Sequence, residues 1–306
     1  MSRNMNPAVI RSIRDRLKNI AREESSDFNL VVIRYVLERF IYRLSKSDYA
    51  DQFVLKGAAL FLYWEGSLAR PTKDVDFTGV EEMNAEELET IVKELCEKKV
   101  KVEDGVVFLV ETIESEQIRA GQTYNGFRVN LKAQLGAQKI KVHLDVGFGD
   151  VLLPPPEEID YPVLLDFPAP RLKVCQKETT IAEKTQNMVV MGIGNSRMKD
   201  FYDIWFLSKN FEFDLLNLRE AIIGTFKRRK TKIPTEVPVA LREEFAEDSI
   251  IRERWLAFLK NMDIDSEEFS LYDLLDQIRN FILPVINSII DEEQNNKTWE
   301  PEEGWI

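Results

Sequence analysis

The sequence predicts a mixed α/β protein: a small mixed sheet flanked by helices, bilobed, with a mainly helical C-terminal lobe. Three observations carry this. Period-two alternation at 127–135 and 139–146 follows a helical stretch and does not alternate with helices, which argues against a run of βαβ units. Prolines 154, 155, 156, 162, 168 and 170 crowd one segment and exclude helix there. Beyond that segment, apolar residues recur at helical spacing to about residue 290.

Taken in order, 7–21 carries Val9, Ile10, Ile13, Leu17 and Ile20 at helical spacing. Residues 28–44 repeat the pattern with Val31, Val32, Tyr35, Val36, Phe40 and Ile41. Arg11, Arg14, Arg16 and Lys18 give the first helix a basic face, which reads as solvated or as a contact for a partner or RNA. Phe53-Val54-Leu55 is a short apolar strand, Lys56-Gly57 a turn, and 58–64 a helix. Val75 and Phe77 mark one face of a strand. Asn84 and Glu87 form a capping box for a helix over 85–99. Strands follow at 106–110, 127–135 and 139–146, with Gly121 and Gly136 at turns. The proline-rich 151–170 reads as an extended connector. Thr180 and Glu183 form a capping box for a helix to Met191, ended by Gly192 and Gly194. Further helices are expected at 199–209, 214–228, 241–262 and 271–290, the last kinked at Pro284. The domain expectation is therefore 1–150 for the N-terminal helices and sheet, 151–170 for the connector, 171–290 for a helical domain that completes the site, and 291–306 for an acidic tail, loose or partner-dependent.

Composition narrows the function classes. The chain has 306 residues, 44% hydrophobic and 31% charged, as in ordinary globular proteins. No apolar run approaches a membrane span, and the first residues begin no signal peptide, so a cytoplasmic protein without a membrane partner is expected. Cys96 and Cys175 are too few for a disulfide scaffold or a zinc site, and His143, the single histidine, leaves no room for a histidine-based metal centre. The formal charge of −12 argues against a surface coated for nucleic acid, though it permits a local basic groove.

The chemistry concentrates in 52–79. Asp74 and Asp76 stand at i and i+2 of a strand, hence on one face. Two carboxylates held that close repel, and a hard divalent cation such as Mg²⁺ suits an all-oxygen pair. Upstream, the Gly57 turn into a helix lets backbone N–H groups approach a phosphate. Each element alone reads equally as a turn or a solvated strand edge. Asp145 projects from the polar face of its strand with Lys141 and His143. It reads as a third carboxylate for a second metal, or as an ion-pair partner of Lys141 or another cation, with His143 structural. Lys184 lies one turn into the capped helix, where a lysine is normally solvated; in an acidic pocket it would neutralise charge on a departing pyrophosphate. Asp200 and Asp203 share a helix face with Arg197 a turn earlier, as an acid-dressed helix start would. The basic tract 226–232 reads as an RNA contact or as cations complementing a helix C-terminus.

The ordered set Lys56-Gly57-Ala58-Ala59-Leu60, Arg70-x-Thr72-x-Asp74-Val75-Asp76-Phe77, Leu144-Asp145-Val146, Ala182-Glu183-Lys184 and Arg197-Met198-Lys199-Asp200-Phe201-Tyr202-Asp203-Ile204 resembles the AbiEii/AbiGii-type nucleotidyltransferase toxins, the MenT-like group of the DNA polymerase β-like superfamily. The likeness covers roughly residues 50–210. It implies metal-dependent transfer of a nucleoside monophosphate from an NTP, a pyrimidine NTP by preference, to the 3′ end of tRNA, and an antitoxin partner. By position it matches Asp74 and Asp76 to the metal-binding acids, Thr72 to the hydroxyl residue two before the first acid, and Lys184 and Asp200 to a late lysine and a late acid. The catalytic set expected is Asp74, Asp76, Asp145, Lys184 and Asp200, with Asp74, Asp76 and Asp145 on metal and Lys56, Gly57, Arg70, Thr72 and Asp203 toward the NTP. The implied cofactor is Mg²⁺, as two ions, with Mn²⁺ as a substitute. One departure is Ala58-Ala59, where the family usually has a glycine followed by Thr or Ser; the cradle is left to backbone N–H groups. Two other readings stand beside it: transfer to a protein hydroxyl or small molecule, and a nucleotide-binding interaction protein without transfer.

Overall fold

The computed structural model describes residues 6–66, 72–118, 126–267, 269–292 and 296–306. The chain divides into two compact units, one of residues 1–149 with 157–174, the other of 150–156 with 175–306.

In the first unit, α1 (Pro7–Glu23) starts at Pro7, with the Asn6 side chain accepting from the Ala8 N–H, and buries Ile13, Leu17 and Ala21. α2 (Phe28–Ser45) is capped by Asp27. It is far more buried than an amphipathic pattern requires, and its interior includes charge: Arg43 makes a two-pronged pair with Asp104 at 2.7 and 3.1 Å, and Glu38 pairs with Arg39 and accepts the Leu164 N–H. Buried charges are tolerated only when paired in this way.

Then come β1 (Phe53–Lys56), a 3₁₀ turn at Gly57–Leu60, α3 (Phe61–Glu65), β2 (Asp74–Gly79), α4 (Ala85–Glu97), β3 (Val106–Gln117), β4 (Gly126–Leu135), β5 (Gln138–Phe148), β6 (Glu157–Asp160) and β7 (Arg171–Val174). The Asn84–Glu87 capping box of α4 is present in full. The seven strands form one mixed sheet in the order β3-β4-β5-β2-β1-β7-β6. β2 runs parallel to β5, and β1 parallel to β7. β3 reaches past residue 110 to Gln117 through an irregularity between Leu109 and Glu114. The expected turn at Gly121 lies outside the described residues.

One face of this sheet is the core. Phe77, Leu144 and Val146 meet Phe40 and Leu44 of α2 and Leu88 and Ile91 of α4. Each such apolar side chain, fully buried, contributes about 1.5–3 kcal/mol. The proline-rich segment departs from a simple connector: its central residues pair as β6 with β7 at the sheet edge, where extended, proline-flanked chain is accommodated.

The second unit contains α5 (Lys177–Met191), α6 (Met198–Asn210), β8 (Phe213–Asp214), α7 (Leu215–Arg228), α8 (Glu243–Glu247), α9 (Ser249–Asn261), α10 (Leu271–Ile290), β9 (Thr298–Glu300) and β10 (Gly304–Trp305). Three expectations are corrected here. α5 starts three residues before Thr180, with no side-chain cap; Glu178 to Ala182 are buried, and that burial outweighs the local box. The helix expected over 241–262 is broken into α8 and α9, because the Asp248 side chain turns to cap Ile250 and Ile251. The tail is anchored: β9 joins β8 and β10 in a three-stranded sheet. Trp299 is buried and donates to Ser208 O at 2.7 Å; Trp305 stacks on Phe281 and donates to its carbonyl. Among the described residues no helix is long and apolar enough to cross a membrane.

Candidate active site

With α2 and α4 covering one side of the sheet, the alternate residues of its central strands project from the other. Val75 and Phe77 are buried, while Asp74 and Asp76 are half-buried on the opposite face of β2. Parallel pairing with β5 sets Asp74 beside His143 and Asp76 beside Asp145, so the three carboxylates share one face. Antiparallel pairing with β1 sets Lys56 opposite Asp76, and Lys56 is buried.

Gly57 follows at φ +75°, and a Cβ there would lie 2.1 Å from Asp76 Oδ2. The turn thus lies directly against the Asp76 carboxylate, a fit open only to glycine. Gly57→Ala is expected to lose about 1–2 kcal/mol from the left-handed backbone alone and to displace Asp76. A thermal melt and a nucleotide-binding titration check this; parental values in both would remove Gly57 from the site. Downstream, the Thr72 hydroxyl donates to Asp74 O at 3.1 Å, which shapes the entry to β2. Arg70 lies outside the described residues.

The third acid is engaged. Arg128 of β4 is the register partner of Asp145, and its Nε and Nη2 each donate to a carboxylate oxygen at 2.7 Å. Of the alternatives open for Asp145, the ion pair is present, with Arg128 in place of Lys141. Beside it, His143 Nδ1 lies 2.6 Å from Asn130 Oδ1, and the Asn130 amide donates to Glu116. Among the described residues no three His, Cys, Asp or Glu side chains stand close enough together to hold a metal ion. Asp74 makes no carboxylate hydrogen bond and no ion pair among these residues; the charge of Arg128 acts on it from a distance.

Arg128 was not singled out by the sequence motifs, but its signal is present. Strand β4 alternates with Val129 inward, and the two-residue turn at Gly136 fixes the hairpin register. Counting equally along both strands from that turn brings Arg128 opposite Asp145.

In the second unit, Lys184 is not the exposed lysine of a first helical turn. Its Nζ lies 2.9 Å from Asp200 Oδ1 and 2.8 Å from Asp203 Oδ2, and both acids are 1% exposed or less. Arg197 Nε approaches the other Asp200 oxygen at 3.0 Å, close enough for charge pairing. Burial alone would raise the Asp200 carboxyl; the charges of Lys184 and Arg197 outweigh it and hold it below the usual aspartate value. The basic tract is partly structural: Arg229 donates to Gln186 Oε1 and faces Asp150 and Glu183 at 3.5 Å, while Lys227 and Arg228 close the last turn of α7.

Asp74, Asp76 and Asp145 thus stand on adjacent strands of one face of a mixed sheet. The model of the family described as nucleotidyl transferase AbiEii toxin, type IV toxin–antitoxin system, matches residues 39–280, and the chain belongs to this nucleotidyltransferase family. No curated protein matches it in sequence. Among solved structures it is similar to a candidate nucleotidyltransferase from H. pylori, with 14% identity over 87% of this chain and 98% of that one and a TM-score of 0.47. It is likewise similar to JHP933 from Helicobacter pylori, with 14% identity over 86% and 94% and a TM-score of 0.47. Both likenesses are too distant to carry a functional argument.

Proposed function

We propose that this protein transfers a nucleoside monophosphate from an NTP, with a pyrimidine preferred, to the 3′ end of tRNA, and that the modified tRNA no longer supports translation. The observation that supports it most directly is Asp74: a carboxylate beside a second carboxylate, without an ion pair of its own among the described residues. Such repulsion has no structural return and is characteristic of a site awaiting a cation. The tRNA acceptor and the pyrimidine preference rest on the family resemblance.

The residues present fit Mg²⁺, which binds through one or two carboxylates and completes its shell with substrate phosphates and water. Asp74 and Asp76 would hold it. Bound there, the ion would neutralise the triphosphate and polarise its α-phosphoryl group. The chain's own contribution is positional. Lys56 adds positive charge beside Asp76, and the Gly57 turn brings the backbone within reach of phosphate. In the reaction the acceptor hydroxyl oxygen forms a bond to the α-phosphorus and gives up its proton to water, the bond from that phosphorus to the bridging oxygen breaks, and the electron pair leaves with pyrophosphate.

The test incubates the protein with each α-labelled NTP, Mg²⁺ and total RNA, with and without added protein acceptors. A labelled tRNA band whose label resides at the 3′ end is the expected result. Label on a protein band would redirect the acceptor, and no label on any acceptor would sink the proposal.

A further inference from the structure

Asp145 and Arg128 form a closed unit on the same sheet face as Asp74 and Asp76. Both carboxylate oxygens are used by one guanidinium, in the two-pronged geometry that gives the strongest pairing of these groups. A carboxylate so occupied keeps a lone pair on each oxygen, but the guanidinium beside it already balances its charge and opposes the approach of a second cation. Arg128, by contrast, retains capacity. Its Nη1 makes no hydrogen bond among the described residues, and the side chain is 39% exposed. Its surroundings are anionic, with Asp145, Asp74 and Glu116 all acting on it. Across the face, the pairing order β4-β5-β2 places it two strands from Asp76. A planar guanidinium fixed along one edge and open along the other is built to meet a phosphate.

We propose that Arg128 is a nucleotide-phosphate contact of this site and that Asp145 is its positioning residue, not a third metal ligand. This rests on the nucleotidyl-transfer reading of the same face and adds a binding group to it. Asp145 sets the guanidinium plane, and Arg128 offers Nη1 to an anionic oxygen of the triphosphate. Asp74 and Asp76 are left as the metal pair. Functionally, Arg128 then governs nucleotide affinity, while Asp74 governs the metal requirement.

The experiment measures binding of an α,β-methylene pyrimidine triphosphate, with the purine analogue in parallel, across a Mg²⁺ titration. Proteins compared are the parent, Arg128→Ala, Arg128→Lys, Asp145→Asn, the Arg128→Ala/Asp145→Asn double variant and Asp74→Asn, each first shown folded by a thermal melt. Arg128→Ala is expected to weaken binding roughly tenfold or more, as the loss of a charged hydrogen bond does, with Arg128→Lys intermediate. Asp145→Asn should reproduce that defect, and the double variant should be no worse than either single one. In these variants the Mg²⁺ concentration for half-saturation stays at the parental value, whereas Asp74→Asn moves it. An Arg128→Ala protein that binds within twofold of the parent overturns the proposal. So does an Asp145→Asn protein that shifts the Mg²⁺ requirement as Asp74→Asn does. A parent that binds neither analogue overturns the functional reading itself and this contact with it.

Discussion

Replacing Lys184 with alanine is expected to cost about 3–5 kcal/mol of folding stability, the usual loss when one partner is removed from a buried ion pair. Lys184 is the shared cation of Asp200 and Asp203, at 2.9 and 2.8 Å, and both acids are almost wholly removed from water. Without it the two buried acids, three residues apart on α6, lose the lysine they share, while Arg197 still faces Asp200. A urea midpoint at neutral pH measures the loss; a shift worth less than about 1 kcal/mol, the value of an exposed pair, would refute it. The pH dependence has a definite sign. Asp200 titrates below its ordinary 3.8 in the folded protein, so its contribution is fully present above that value and is lost as pH falls through the lower folded value. The alanine variant lacks the cation that lowers it and should therefore unfold at a higher pH during acid titration. Turnover lost in this variant reports stability as well as chemistry. A kinetic role for Lys184 thus has to be read from protein that a melt shows folded.

Lys184 also marks the limit of what the sequence made legible. Local signals were readable where no distant residue competes with them. The Asn84 box, the glycine stop after Met191 and the alternation of β5 all form as expected, because cap, turn and pleat are decided within a few residues. Thr180 and Glu183 imitate a cap equally well, yet Thr180 is buried inside α5, since tertiary burial of that turn wins over a cap worth about 1 kcal/mol. The tail reads as acidic and unpatterned because its order depends on two indoles: Trp299 and Trp305 each donate to a carbonyl far back along the chain. Arg39 and Arg43 interrupt no helical pattern and so gave no sign of lying in the core; only pairing across the fold permits it. At the site, the shared face of Asp74 and Asp76 followed from period two alone. The company Asp145 keeps required the register of β4 on β5.

Asp74→Asn is expected to abolish nucleotidyl transfer while leaving the fold intact. Asparagine matches aspartate in shape, and the Thr72 hydroxyl bonds the Asp74 main-chain carbonyl, which the substitution does not touch. Within the described residues the Asp74 carboxylate makes no hydrogen bond or ion pair whose loss would weaken β2. Asp76 stands about 6.6 Å further along the same face, two residues at the strand rise. Relief of that repulsion should hold the stability change within about 0.5 kcal/mol and could make it favourable. Activity has no such compensation. A neutral amide offers a hard cation a weaker ligand, and the charge that fixes the ion on the triphosphate is halved at the pair. Loss of a preorganised electrostatic contact of this kind costs roughly a hundredfold or more in rate. The measurement is single-turnover transfer from labelled NTP beside a thermal melt and a Mg²⁺ titration. Near-parental turnover at ordinary Mg²⁺ would show that Asp74 is not a metal ligand. A collapsed melting temperature would show that the carboxylate has a structural partner.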